Sequence, residues 1–163
     1  MNAAAGNVAA SSRPGAARGW LGAVLLLALG LRLWQFDFRQ PHLGRPSGGD
    51  DLPKIKAALR VAQGKLHPPH FKQPGYLIYS TGLLIRLAGW QRGRSGDDLW
   101  RLTALTMIGY SVLTVLATYF LALAAAGERE TALLAALLLA AAPLDAVGSR
   151  YFKEDVPLAF FAT

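Results

Sequence analysis

Two acidic sites stand out in a chain that is otherwise poor in charge. Asp50 and Asp51 follow Gly48-Gly49 and precede Leu52-Pro53. A flexible lead-in, an Asp able to cap and a Pro in the first turn together make a helix start, and one Asp is enough to cap it. The second carboxylate has no local structural task. Held at a helix start, it could accept a proton as a general base or bind a metal ion. Asp155 closes the triplet Lys153-Glu154-Asp155, ahead of an apolar run with Pro157 in its first turn. Its structural reading is again a cap, and its chemical reading is a second acid beside cations. Arg150 lies shortly before it, and a guanidinium at a membrane interface suits a phosphate. His67 and His70 enclose Pro68-Pro69, which excludes the helix on which that spacing would pair two metal ligands. Asp97-Asp98 reads as a plain cap, and Asp145, after Pro143, as a solvated loop residue.

The elements that carry these residues are those of a membrane protein. Of 163 residues, 53% are hydrophobic and only 17% charged, against about 25% charged in soluble chains. The net charge of +7 lies between apolar runs, not on the polar surface of a nucleic-acid binder. The absence of cysteine excludes a disulfide scaffold, a thiolate zinc site and a cysteine nucleophile. Residues 102–126 hold no charge and exceed the roughly 20 apolar residues a spanning helix needs. Residues 20–36 make a second span if Arg32 snorkels to the nearer interface. Residues 131–144 are short, Ala/Leu-rich, and span only with help from their flanks. The run from Val156 stops after about 12 Å of helix, so the chain reads as the N-terminal part of a longer protein. Residues 1–19 read as a disordered cytoplasmic tail. A signal peptide is the rival reading of the N-terminus, but Arg32, Trp34 and Phe36 stand where small cleavage-site residues belong. The four tryptophans, Trp20, Trp34, Trp90 and Trp100, read as interfacial anchors.

The segment 37–98 between the first two strong spans has structure of its own. Ile55, Ala58, Leu59 and Ala62 recur at helical spacing among Lys54, Lys56 and Arg60, with Gly64 as the stop. This predicts an amphipathic helix lying in the interface. Phe71-Lys72-Gln73-Pro74 then leads into an apolar helix from Gly75. Arg86, Arg92 and Arg94 behind it favour a span by the positive-inside rule, while an interfacial helix keeps Asp50 and Asp155 on one face.

An N-terminal span, a long loop opening on paired acids, and a Phe-x-x-Pro step into an apolar helix resemble the type C membrane glycosyltransferases. The chain looks most like the dolichyl-phosphate-mannose protein mannosyltransferases and the bacterial aminoarabinose transferases. Its most specific stretch is Ser149-Arg150-Tyr151-Phe152-Lys153-Glu154-Asp155-Val156-Pro157-Leu158-Ala159-Phe160-Phe161. The resemblance implies an all-α integral membrane fold, the N-terminal part of a multi-span enzyme. Spans fall at about 20–36, 99–126 and 131–144, another begins at 156, and the outer loop is 37–98. It implies sugar transfer, with inversion, from a polyprenyl- or dolichyl-phosphate carrier to a protein, lipid or glycan acceptor at the outer face. Asp50 or Asp51 would be the general base and Asp155 the acid of the second outer loop. Arg150, Lys72 and Lys153 would bind the donor phosphate. A divalent metal, where one is used, would fall to Asp50 and Asp155. Two departures stand out: Asp-Asp replaces the usual Asp-Glu, and Gln73 holds a place that is Lys in some relatives. Without the later spans the chain is expected to be inactive by itself. The Ala/Gly/Arg-rich composition points to a prokaryotic plasma membrane. The competing reading is a non-catalytic membrane subunit or degenerate fragment whose acids only cap helices.

Overall fold

The computed structural model describes residues 14–34, 51–65, 75–89, 96–149 and 154–163. Among these residues the chain is helical and forms no strand. The helices are α1 (Pro14–Leu33), α2 (Asp51–Ala62), α3 (Gly75–Leu87), α4 (Gly96–Ala126), α5 (Arg129–Ala141), α6 (Pro143–Gly148) and α7 (Asp155–Ala162). Helix α1 opens on Pro14, inside the segment read as a tail; its missing N–H costs nothing in a first turn. Gly64 and Gly127 stop α2 and α4 with φ of +84° and +70°, a left-handed conformation that side chains with a Cβ resist. Pro143 cannot continue α5. Ala142 before it turns extended, and Pro143 becomes the first residue of α6.

Helix α4 is the axis of the fold. Its 31 residues make roughly 46 Å of helix, longer than the ~30 Å hydrocarbon layer. Leu99–Ala126 is apolar and long enough to cross a membrane, and only 33% of its most apolar window is buried inside the protein. A soluble core helix would be mostly covered. Gly19–Leu33 is a shorter apolar helix. Four threonines sit in α4 without leaving hydroxyls bare: Thr103, Thr106, Thr114 and Thr118 each donate to a carbonyl one turn back, at 2.8–2.9 Å. Internal satisfaction of this kind is what lipid demands.

Two apolar clusters divide α4 lengthwise. In its N-terminal half, Leu99 and Met107 pack with Ile55 and Ala58 of α2, Leu77, Ile78 and Ile85 of α3, and Val156 of α7. In its C-terminal half, Val115 and Tyr119 pack with Val24 and Ala28 of α1 and with Ala132, Ala136 and Ala140 of α5. The alanine stripe lets α5 approach closely, as small residues do between membrane helices. Helices α2 and α3 approach closely at Gly82, where an added Cβ would stand 2.7 Å from Val61 Cγ1 and 2.9 Å from the Ala58 carbonyl. Leu26, Phe120, Leu121, Leu134 and Leu138 point outward and are exposed. A continuous apolar exterior is a liability in water and ordinary in a bilayer.

Candidate active site

The start of α2 and the start of α7 meet through one ion pair. Lys54 Nζ donates to Glu154 Oε2 at 2.6 Å, and the lysine side chain is only 5% exposed. Lys54 precedes Ile55 on the covered side of α2, and Val156, two residues past Glu154, enters the same apolar cluster as Ile55. The reading of Lys54 as a polar flank of an amphipathic helix is therefore corrected. Its spacing to Ala58, one turn on, already places both on one face. Glu154 is the N-cap residue of α7 but makes no side-chain cap bond; its carboxylate reaches Lys54 across the fold.

A second polar construction lies at mid-length of α4. Arg32, near the end of α1, is fully buried. Its Nε donates to Ser111 Oγ at 2.6 Å, and one terminal nitrogen donates to the carbonyls of Ala28 at 2.9 Å and Ala140 at 3.2 Å. The other terminal nitrogen pairs with Asp145 Oδ2. Ser111 Oγ in turn donates to the same carboxylate oxygen at 2.7 Å. Two expectations are overturned here. Arg32 does not snorkel outward, because an acid and three other acceptors meet it inside the bundle. Asp145 is not a free loop residue but the counter-ion of that arginine. A charge inside an apolar run is costly unless paired, and this cost was the signal that Arg32 needed an acid at its own depth.

An aromatic group joins α3, α4 and α7. The hydroxyls of Tyr76 and Tyr110 are 2.5 Å apart. Phe161 meets the Tyr76 ring edge-on with centroids 4.8 Å apart, and Phe160 lies 6.0 Å from Tyr110. The hydrogen bond to Tyr110, and then burial, push the Tyr76 hydroxyl up to about 12.

Of the residues predicted to act, Asp51 is the first residue of α2 and Asp155 the first of α7, and Asp155 is exposed. Asp50, Lys72, Arg150 and Lys153 lie outside the described residues, as do His67 and His70. Among the described residues no three His, Cys, Asp or Glu side chains gather as metal donors.

Among the described residues there are only helices, one of them long, apolar and largely uncovered, as in an all-α membrane protein. Residues 95–163, which hold α4 to α7 and the motif-like stretch around Asp155, match the family model for dolichyl-phosphate-mannose-protein mannosyltransferase. That part of the chain is thus similar to glycosyltransferases of mannosyltransferase type. No curated protein and no solved structure matches it.

Proposed function

We infer that the protein transfers a sugar from a polyprenyl-phosphate carrier to a protein, lipid or glycan acceptor at the outer membrane face, with inversion. The observation that supports this most is the Lys54–Glu154 bond. Asp51 stands one helical turn before Lys54, and Asp155 directly follows Glu154. The two acid-bearing helix starts are therefore neighbours, although 100 residues separate the bonded pair in sequence. In this reading Asp50 or Asp51 takes the proton of the acceptor hydroxyl. The acceptor oxygen bonds to the anomeric carbon from the face opposite the carrier. The carbon–oxygen bond to phosphate breaks, and its electron pair leaves on the polyprenyl phosphate. Arg150, Lys72 and Lys153 neutralise the charge that develops there, as preorganised cations do. The topology belongs to the same proposal: α1, α4 and α5 cross a plasma membrane, α2 and α3 lie along its outer surface, and Gly127 turns on the cytoplasmic side.

The test is transfer of labelled mannose from a polyprenyl-phosphate donor to acceptors in membranes carrying the full-length protein. Asp50→Asn, Asp51→Asn and Asp155→Asn are compared at equal insertion. Loss of a general base removes about 100- to 10,000-fold, and one of the first two variants is expected to show it. Undiminished transfer in all three variants would leave only the capping role.

A further inference from the structure

We propose that Lys54 and Glu154 form a clamp that positions the acids for transfer, an inference that rests on the function proposed above. Four observations carry it. First, Lys54 is in the first turn of α2, where the helix dipole is positive and a cation is locally unfavourable. A residue kept against local preference answers to something outside its helix. Second, its side chain is almost entirely covered, and a buried ammonium needs a partner. Glu154 supplies it at 2.6 Å. Third, Glu154 holds the N-cap position of α7 yet forms no side-chain cap bond, so its carboxylate serves the other helix instead of its own. Fourth, the bond is backed by apolar packing on the next residues of both helices, Ile55 and Val156. A bond so backed fixes the helix starts in position and in rotation.

The chemistry needs such a device. The start of α2 carries Asp51 and the start of α7 carries Glu154 and Asp155, and like charges on adjoining helix starts repel. A buried cation between the two helix starts opposes that repulsion without occupying the exposed edge where Asp155 lies. Lys54 is thus a positioning residue: it acts through the helices that carry the acids and touches no reacting atom.

The protein contains no cysteine, so two spin labels can be introduced cleanly. Lys56→Cys on α2 and Ala159→Cys on α7 are both at exposed positions. In nanodiscs, the electron–electron distance between labels is expected to be a single narrow distribution. Lys54→Met keeps the apolar stem and removes the charge. It should broaden the distribution and lower kcat by roughly 100-fold, the scale of a misplaced catalytic group, while KM for the donor changes little. The charge swap Lys54→Glu with Glu154→Lys should restore both the narrow distribution and most of kcat. An unchanged distance distribution in Lys54→Met overturns the clamp, as does a kcat loss that the swap fails to restore. A pair that served stability alone would lower the yield of folded protein and leave kcat per folded molecule intact, which also overturns it. A full-length wild-type protein that transfers no sugar, but whose helix spacing still depends on the pair, refutes the function proposed above and upholds the clamp.

Discussion

Replacing Arg32 tests whether the buried network at mid-length of α4 holds the helices together. Arg32→Ala removes the counter-ion of Asp145 and the donors to Ser111, Ala28 and Ala140. Ser111 keeps its own bond to Asp145 at 2.7 Å, so the hydroxyl is not orphaned. The carboxylate is, in charge if not in hydrogen bonding. Its side chain is 25% exposed, so water screens part of the loss. Breaking a buried pair by removing one partner costs about 3–5 kcal/mol, and that exposure places Arg32→Ala toward the lower end. Asp145→Leu should cost at least as much, because it strands a cation that is 0% exposed. Arg32→Met combined with Asp145→Leu should cost under about 2 kcal/mol, since apolar residues of similar volume replace buried ion pairs well. The assay is reversible unfolding in mixed micelles, with the double-mutant cycle closed by Arg32→Met alone. A coupling energy near 2 kcal/mol or more is expected. An additive cycle, or an Arg32→Ala loss below about 1 kcal/mol, would show that the network does not join α1, α4, α5 and α6.

Gly82→Leu should separate α2 from α3, because even a Cβ there meets backbone at 2.9 Å. Amide exchange along α2 should rise, and overpacking of this kind costs about 1–3 kcal/mol. Gly127→Val forces a β-branched residue to φ +70° and should destabilise the α4–α5 turn by about 1–2 kcal/mol, read in the same unfolding assay. Thr81 Oγ1 is buried without a hydrogen-bond partner among the described residues, so Thr81→Val, of nearly equal shape, should stabilise the protein by about 1 kcal/mol. Tyr76 is held up to about 12 mainly by its bond to Tyr110. A raised value favours the neutral phenol in the folded state, so this contribution is whole below pH 10 and fades as pH climbs through 12. Tyr110→Phe should return Tyr76 toward 10 in an ultraviolet titration of tyrosinate, and an unmoved titration would discount the hydroxyl pair.

Local signals in the sequence were sufficient for the helices. Apolar runs without charge gave α4, the spacing of Ile55, Ala58 and Ala62 gave α2, and Gly64 marked its stop. Pro143 showed where α5 had to end, though not that a short α6 would begin on the proline itself. Partners distant in sequence were harder to read. Asp145 looked like loop because nothing near it in sequence needs a carboxylate, while its arginine lies 113 residues earlier. Lys54 looked like solvent-facing charge because hydropathy ignores which side of a helix a long stem takes. Glu154 was passed over for Asp155, its neighbour, because both suit a helix start. In each case the chemistry of the residue demanded a partner, but only the packing of distant helices identified it.

The same 113-residue separation has a consequence for biosynthesis. Arg32 leaves the ribosome long before Asp145 exists. At about 5–20 residues per second, the arginine waits roughly 6–23 s for its counter-ion. In the topology proposed above, α1 would lodge in the bilayer during that interval with an unpaired charge, which the insertion machinery penalises by up to about 3 kcal/mol at mid-helix and less near an end. Arg32 lies next to the last residue of its helix, within reach of the headgroups. In that topology an outward-stretched arginine would precede the inward, bonded one. The arrival of α6 would then bring the arginine inward, so that α1 is locked only after α6 is made.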